Sequence, residues 1–360
     1  MTLMSKRRGV RRIDIREVTP QRLARLAGLR YVCDSEPGLT RRRCGGGFIY
    51  VASSGGRLSN GEHLTRIRAL AIPPAWTEVW ICLHADGHLQ ATGHDNRGRK
   101  QYLYHERWHD ISGQAKYSSL ASFGKALPRI RQRIEKDLRR HGLPREKVAA
   151  LAVRLLDETA VRIGNREYAT DNESYGLTTL ERRHAQISGS RILLSFVGKG
   201  GKQREVFLRN ARLAKLLARC RNTRGKALLQ YEADGRYLPL TSEDVNHYLG
   251  EIAGSRMTAK LFRTWRGSTV VADYLYRAEP ASSESARKRI VNAAIRAAAE
   301  HLGNTPAICR KSYVHPQIID AYLASRFPAI FKNFTPRRRK SLSADEQVLL
   351  HLLSVGRGEG

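Results

Sequence analysis

One tyrosine and three scattered cations carry the chemistry this sequence can offer. Tyr313 closes the stretch Gly303-Asn304-Thr305-Pro306-Ala307-Ile308-Cys309-Arg310-Lys311-Ser312-Tyr313. Gly303 is a helix stop, Thr305 can cap a free N–H, and Pro306 suits the first helical position because it has no N–H to leave over. The stretch predicts a short helix that holds Tyr313 beside Arg310 and Lys311. By itself it reads as a basic surface helix whose tyrosine packs its ring on the core.

The cations stand in less ordinary places. Arg162 follows an apolar helix and opens Arg162-Ile163-Gly164-Asn165. Lys199 is at the tip of a glycine-flanked hairpin, Gly198-Lys199-Gly200-Gly201, from which it could reach into a groove. Arg263 lies in Lys260-Leu261-Phe262-Arg263-Thr264-Trp265, where helical spacing puts Lys260 and Arg263 on one face. Each taken alone fits a salt bridge or a contact to a nucleic-acid backbone. The four together with their spacing ask for a common explanation.

Composition narrows it. Lys and Arg number 64 against 33 Asp and Glu, a formal charge of +31. Solvated surfaces mix both signs, so this excess implies a polyanionic partner, nucleic acid first, with affinity that falls steeply with salt. A membrane surface fits less well, because no long basic amphipathic helix with an aromatic face is present. Familiar catalytic motifs are missing. Gly198-Lys199-Gly200-Gly201-Lys202 lacks the spacing of a nucleotide-binding P-loop and lies between strands. No HExxH, GxSxG or carboxylate cluster suited to Mg²⁺ stands out, and Asp157 and Glu158, adjacent on a helix, diverge into a solvated or ion-paired face. A DNA enzyme without an obvious metal site must stabilise a phosphoryl transition state with side-chain cations.

The elements that would position these groups fall into two domains. Residues 1–16 read as a disordered basic arm. Residues 17–110 read as a small β-rich domain, with a helix opened by Thr19-Pro20 and strands at Phe48–Val51, Val79–Leu83 and Leu89–Thr92. The polar stretch Trp108–Tyr117 marks the boundary. Residues 115–335 are mainly helical, with Leu127, Ile130, Ile134 and Leu138 as one apolar face, a hairpin at Arg191–Leu208, and a helix from about Ser285 to Leu302. Residues 336–360 form a basic tail with a short helix from Ser343. The fold class is α+β. The apolar fraction of 41% suits a soluble chain, and no stretch is apolar for long enough to span a bilayer. The first residues lack a secretory pattern, and five scattered cysteines without a CxxC pair point to a reduced, cytoplasmic protein with no zinc site.

The ordered set Arg162 in Arg-Ile-Gly-Asn, Lys199 in Phe-Val-Gly-Lys, Arg263 in Lys-Leu-Phe-Arg-Thr-Trp and Tyr313 in Thr-Pro-x6-Tyr resembles the type IB DNA topoisomerases, and most of all their small poxvirus-like branch found in bacteria. Ile72-Pro73-Pro74-Ala75-Trp76, Gly93-His94-Asp95 and Gly98-Arg99-Lys100-Gln101-Tyr102-Leu103-Tyr104 agree with it. The resemblance covers about residues 20–325. It implies that Tyr313 attacks a DNA phosphodiester to form a 3′-phosphotyrosyl link, that Arg162 and Arg263 hold the non-bridging oxygens, and that Lys199 protonates the leaving 5′-oxygen. It implies a catalytic domain of the topoisomerase IB and tyrosine recombinase type, and supercoil relaxation with no cofactor, neither ATP nor metal. The partner is double-stranded DNA, clamped by a monomer at the nucleoid. Members often have His where this chain has Asn304, which can donate a hydrogen bond but cannot shuttle a proton, so Asn304 is expected to be a helper. Gln101, Tyr102, Tyr104, Tyr168 and Lys260 are the implied DNA contacts; cross-strand packing is the other reading of the aromatics.

Two rivals remain at this point. A tyrosine site-specific recombinase shares the nucleophile, but resembles HxxR where this chain has Lys260-x-x-Arg263. A non-catalytic DNA-binding protein would account for the charge, but not for the intact Arg-Lys-Arg-Tyr set.

Overall fold

A computed structural model describes residues 19–59, 61–166, 173–253, 257–337 and 341–355. The basic arm at residues 1–16, Tyr168, and Arg338-Arg339-Lys340 lie outside these. The chain divides into two compact units, residues 1–119 and 120–360.

In the first unit, helix α1 (Pro20–Leu26) begins as its Thr-Pro pair predicts, with Thr19 Oγ1 accepting from the Arg22 N–H at 3.2 Å. Strands β1 (Leu39–Cys44) and β2 (Gly47–Val51) are followed by α2 (Gly61–Ala69), β3 (Thr77–Ile81), β4 (Leu89–His94) and β5 (Lys100–Tyr104). They form an antiparallel sheet in the order β2-β1-β3-β4-β5 over Leu39, Ile67, Val79, Ile81 and Ala91. Arg41 pins the loop before β3. It donates to the Ile72, Pro73 and Trp76 carbonyls at 3.2, 3.0 and 2.7 Å, and its guanidinium lies 4.2 Å over the Phe48 ring. Trp76 in turn packs on Gly93, where a Cβ would come within 3.0 Å of the indole. The motifs Ile72–Trp76 and Gly93–Asp95 are thus one packed unit.

Helix α3 (Glu106–Asp137) contains the division between the units, and the polar stretch Trp108–Tyr117 is helical within it. The division falls just after that stretch, inside a continuous helix, and a helix with one exposed face shows few apolar residues per turn. The second unit continues with α4 (Arg145–Thr159), then β6 (Ala185–Ser188), β7 (Arg191–Gly198) and β8 (Lys202–Arg209) as an antiparallel sheet in that order. Helix α5 (Ala211–Arg221) leads to a hairpin of β9 (Gln230–Ala233) and β10 (Arg236–Pro239). Then come α6 (Ser242–Ala253), α7 (Lys260–Arg277), α8 (Glu284–Leu302), α9 (Pro306–Tyr313), α10 (Pro316–Leu323), α11 (Phe327–Ile330) and α12 (Ala344–Val355).

Helix α7 is the axis of this unit, packing against α8, α9 and α12. The carboxy-terminal helix, read from sequence as part of a basic tail, belongs to the core: Val348, Leu349 and Leu352 are fully buried. Its Glu346 accepts from Trp265 Nε1 at 3.0 Å and from Arg131 at 2.8 Å, while Arg131 also grips Asp157 at 2.8 Å. These charges tie α3, α4 and α12 to the helix that carries Arg263. Glu158 pairs with Arg154 at 2.7 Å, so the adjacent carboxylates do diverge into ion pairs.

Candidate active site

Arg263, in the first turn of α7, is the best-buried arginine of the predicted set, with 3% of its surface exposed. A buried guanidinium needs acceptors, and two helix ends supply them. One Nη donates to the Ala160 carbonyl and the other to the Leu302 carbonyl at 3.0 Å. Ala160 caps α4 in the left-handed region, φ 50°, and Leu302 ends α8, so both are carbonyls at the negative ends of helix dipoles. Nε of Arg263 is buried and has no acceptor among the described residues. Burial lowers the guanidinium to about 10, which leaves it charged at neutral pH.

Tyr313 is the last residue of α9, which starts as predicted: Thr305 Oγ1 accepts from the Ile308 N–H at 3.3 Å and Pro306 is the first helical residue. Its ring lies under Arg263, with the guanidinium carbon 4.8 Å from the ring centroid. Two neighbours on α7 fix its backbone. Gly267 allows the close approach, since a Cβ there would meet the Tyr313 carbonyl at 2.8 Å and the Tyr313 Cβ at 3.1 Å. Ser268 Oγ donates to the Tyr313 carbonyl at 3.2 Å and accepts from the His315 N–H at 3.0 Å. Burial pushes the phenol pKa up, but the charges of Arg263, Arg162 and Lys260 outweigh it and the net shift is downward. Cys309 on the same helix is fully buried and its thiol is pushed up to about 11 by that burial, so it stays neutral.

Arg162 is held by a crossing of two glycine backbones. Gly164, at φ +99°, lies so close to Gly176 that a Cβ on Gly176 would meet the Gly164 nitrogen at 2.5 Å. Across that crossing the Leu177 N–H donates to the Arg162 carbonyl at 2.8 Å. The Arg162 guanidinium donates to Asn304 Oδ1 at 2.6 Å. Asn304 Nδ2 is buried without an acceptor among the described residues. Asn304 thus orients an arginine and offers one further donor.

Arg162, Arg263, Asn304 and Tyr313 come together, although Arg162 and Asn304 stand 142 residues apart in the chain. Lys199 is in the exposed turn between β7 and β8, where Gly200 and Gly201 both take positive φ. Lys260 is exposed on the first turn of α7. Arg204 on β8 was missed in the sequence: its guanidinium occupies the space a Cβ on Gly303 would take. The alternation of β8, which puts Arg204 on the same face as Val206 and Leu208, was the signal that could have found it.

In the first unit the implied DNA contacts sit on β5, an edge strand. Tyr102 is 48% exposed and stacks on Tyr104 with centroids 6.0 Å apart. Gln101 donates to Asp95 at 2.9 Å, which engages one of its two N–H donors.

The family model of the eukaryotic DNA topoisomerase I catalytic core matches residues 105–328, and that of the bacterial DNA topoisomerase IB N-terminal domain matches residues 47–95. The DNA topoisomerase 1B of Acanthamoeba polyphaga mimivirus is 30% identical over 294 residues, covering 79% of this chain and 87% of the relative. The DNA topoisomerase 1B of vaccinia virus (strain Copenhagen) is 27% identical over 237 residues, 63% of this chain and 70% of the relative.

Proposed function

The chain belongs to the type IB DNA topoisomerases, and from that premise we propose that it relaxes supercoiled DNA through a 3′-phosphotyrosyl intermediate on Tyr313. The observation that carries the reading is the phenol of Tyr313 under the buried Arg263, with a pKa lowered by three cations. A phenol of pKa about 10 is only ~0.1% ionised at neutral pH, so each cation that stabilises phenolate makes a stronger nucleophile available.

The Tyr313 oxygen attacks the phosphorus, the bond to the 5′-oxygen breaks, and the 3′-phosphate remains on the enzyme. Charge builds on the non-bridging oxygens as this happens. Arg263 Nε and Asn304 Nδ2 are buried donors in want of an acceptor, and the guanidinium of Arg162, steadied by Asn304, adds a planar fork. Preorganised donors of this kind typically contribute about 10²–10³ each in rate. Lys199, on its glycine turn, gives a proton to the leaving 5′-oxygen. The free 5′-hydroxyl strand then rotates about its partner and reverses the attack. Bond energy is conserved in the phosphotyrosyl link, so the cycle needs neither ATP nor a metal ion. Tyr102 beside Lys100, and Gln101 through its remaining N–H and carbonyl, contact the duplex.

The test is relaxation of supercoiled plasmid in EDTA without ATP. Wild type is expected to relax it and Tyr313→Phe to leave it supercoiled; relaxation by Tyr313→Phe would overturn the nucleophile assignment.

A further inference from the structure

One cation at this site has no task in the reaction just described. The side chains of β8 alternate, with Gln203, Glu205 and Phe207 exposed and Arg204, Val206 and Leu208 half-buried. A charge on the inward face of a strand is costly unless paired. Its backbone is paired in the β7–β8 ladder, but among the described residues the side chain of Arg204 makes no hydrogen bond and no ion pair. Burial is the main penalty on its charge, and the like charge of Arg162 adds to it.

The path of the side chain is set by two glycines. A Cβ on Gly198, at the end of β7, would come within 3.1 Å of Arg204 Cγ. A Cβ on Gly303 would fall 1.3 Å from one Nη of Arg204 and 2.2 Å from its Cζ. Gly303 takes φ +61° as the C-cap of α8. Only glycine meets both demands without strain or collision. The guanidinium therefore lies against Gly303, the residue before Asn304; Asn304 Oδ1 is taken by Arg162 at 2.6 Å and its Nδ2 has no acceptor among the described residues. Arg263 Nε is a second buried donor in the same condition. Two buried donors, Arg263 Nε and Asn304 Nδ2, thus lack an acceptor among the described residues while like charges gather around them, an arrangement that is costly as long as they stay unpaired. Such a set is stable enough to persist and is relieved by one kind of ligand, an anion with several acceptor oxygens.

We propose that Arg204 is a further phosphate ligand of the reacting strand. It touches a non-bridging oxygen of the scissile phosphodiester or of the phosphodiester next to it. The inference rests on the reading of Tyr313 as a DNA-cleaving nucleophile. It adds to that reading a fork-shaped cation from the same hairpin that carries Lys199, and gives Gly198 and Gly303 a reason: they keep open the path along which Arg204 reaches the phosphate.

The experiment is single-turnover cleavage of a duplex whose released fragment diffuses away, with wild type, Arg204→Ala and Arg204→Met. Arg204→Met keeps the stem that packs on Gly198 if the alanine variant folds poorly. Each enzyme is given the ordinary duplex and two duplexes with a single neutral methylphosphonate, one at the scissile position and one at its neighbour. Both variants should cleave the ordinary duplex slower by about 10- to 100-fold, the range for one charge-assisted hydrogen bond. The deficit should shrink towards unity on whichever methylphosphonate removes the charge Arg204 meets, which also says which phosphate that is. Cleavage by Arg204→Met within about twofold of wild type would overturn the inference. So would a deficit that is equal on all three duplexes, the signature of a merely structural strut. If wild type forms no adduct on Tyr313 the broader reading fails; if it does, and Arg204→Met cleaves normally, only this inference fails.

Discussion

Gly267→Ala separates the position of the nucleophile from the stability of the fold. The new Cβ would stand 2.8 Å from the Tyr313 carbonyl and 3.1 Å from the Tyr313 Cβ. Both neighbours belong to the backbone or its first side-chain atom and cannot swing aside. Ordinary contact starts near 3.4 Å, so α9 must withdraw by about 0.6 Å. The withdrawal stretches the bonds by which Ser268 bridges Tyr313 and His315, at 3.2 and 3.0 Å. In stability the change nearly cancels. Alanine in a helix interior gains about 1 kcal/mol over glycine, and overpacking costs about 1–3 kcal/mol. Chemistry is less forgiving, since a misplacement of about 1 Å at a reacting group can cost ~10²-fold. Gly267→Ala should melt within a few degrees of wild type, bind duplex DNA equally at fixed salt, and cleave it roughly 10- to 100-fold more slowly in a single turnover. Cleavage at the wild-type rate would refute the claim that the α7–α9 approach sets the nucleophile. A loss of binding as large as the loss of rate would refute it too.

Three other outcomes follow from the same geometry. Asn304→Ala removes one acceptor of Arg162 and one donor and should slow cleavage about tenfold, whereas Arg263→Ala should slow it by about 10²–10³ or more; equal single-turnover rates for the two would refute the ranking. Because cations lower the Tyr313 phenol, the logarithm of the cleavage rate should rise with pH and level off below pH ~10. Lys260→Ala should move that bend upward, and an unmoved bend would exclude Lys260 from the effect. Glu346 is buried, which raises its carboxyl pKa, but the bond to Arg131 outweighs this and holds it below 4.5. A depressed folded pKa means stabilisation that is present above the unfolded value of about 4.5 and is lost as pH falls through the folded one. Glu346→Gln should therefore cost about 3–5 kcal/mol in urea unfolding at neutral pH, with the deficit shrinking in acid; a deficit unchanged at about pH 3 would count against the Arg131 bond as its source.

Much of the site's mounting could be read locally. Thr305, Pro306 and Gly303 bracket α9 by caps whose rules involve only near neighbours, and the apolar spacing of Leu127, Ile130 and Ile134 announced a buried helix face. The misses divide by cause. The β9–β10 hairpin turns on Asp234-Gly235, both at positive φ, a pair that favours such turns but was passed over amid helical periodicity in strands of only four residues. Arg204 is a single charge on an alternating strand and looks like surface until the alternation is counted. Gly267 and Ser268 are ordinary residues within a helix pattern. Their importance arises from an α9 backbone about 46 residues further along, and no local rule reaches that far. The acceptors of Arg263, at Ala160 and Leu302, are backbone carbonyls that carry no side-chain signature at all.

Tyr313 should become covalently attached to DNA during cleavage, and peptide mapping locates that attachment. Wild-type enzyme is mixed with a duplex that releases its downstream fragment, the trapped complex is digested with protease and nuclease, and the adduct is located by mass spectrometry. The expected product is a nucleotide joined through its 3′-phosphate to Tyr313, with a 5′-hydroxyl on the released strand. An adduct on any other residue, or one joined through a 5′-phosphate, would contradict it.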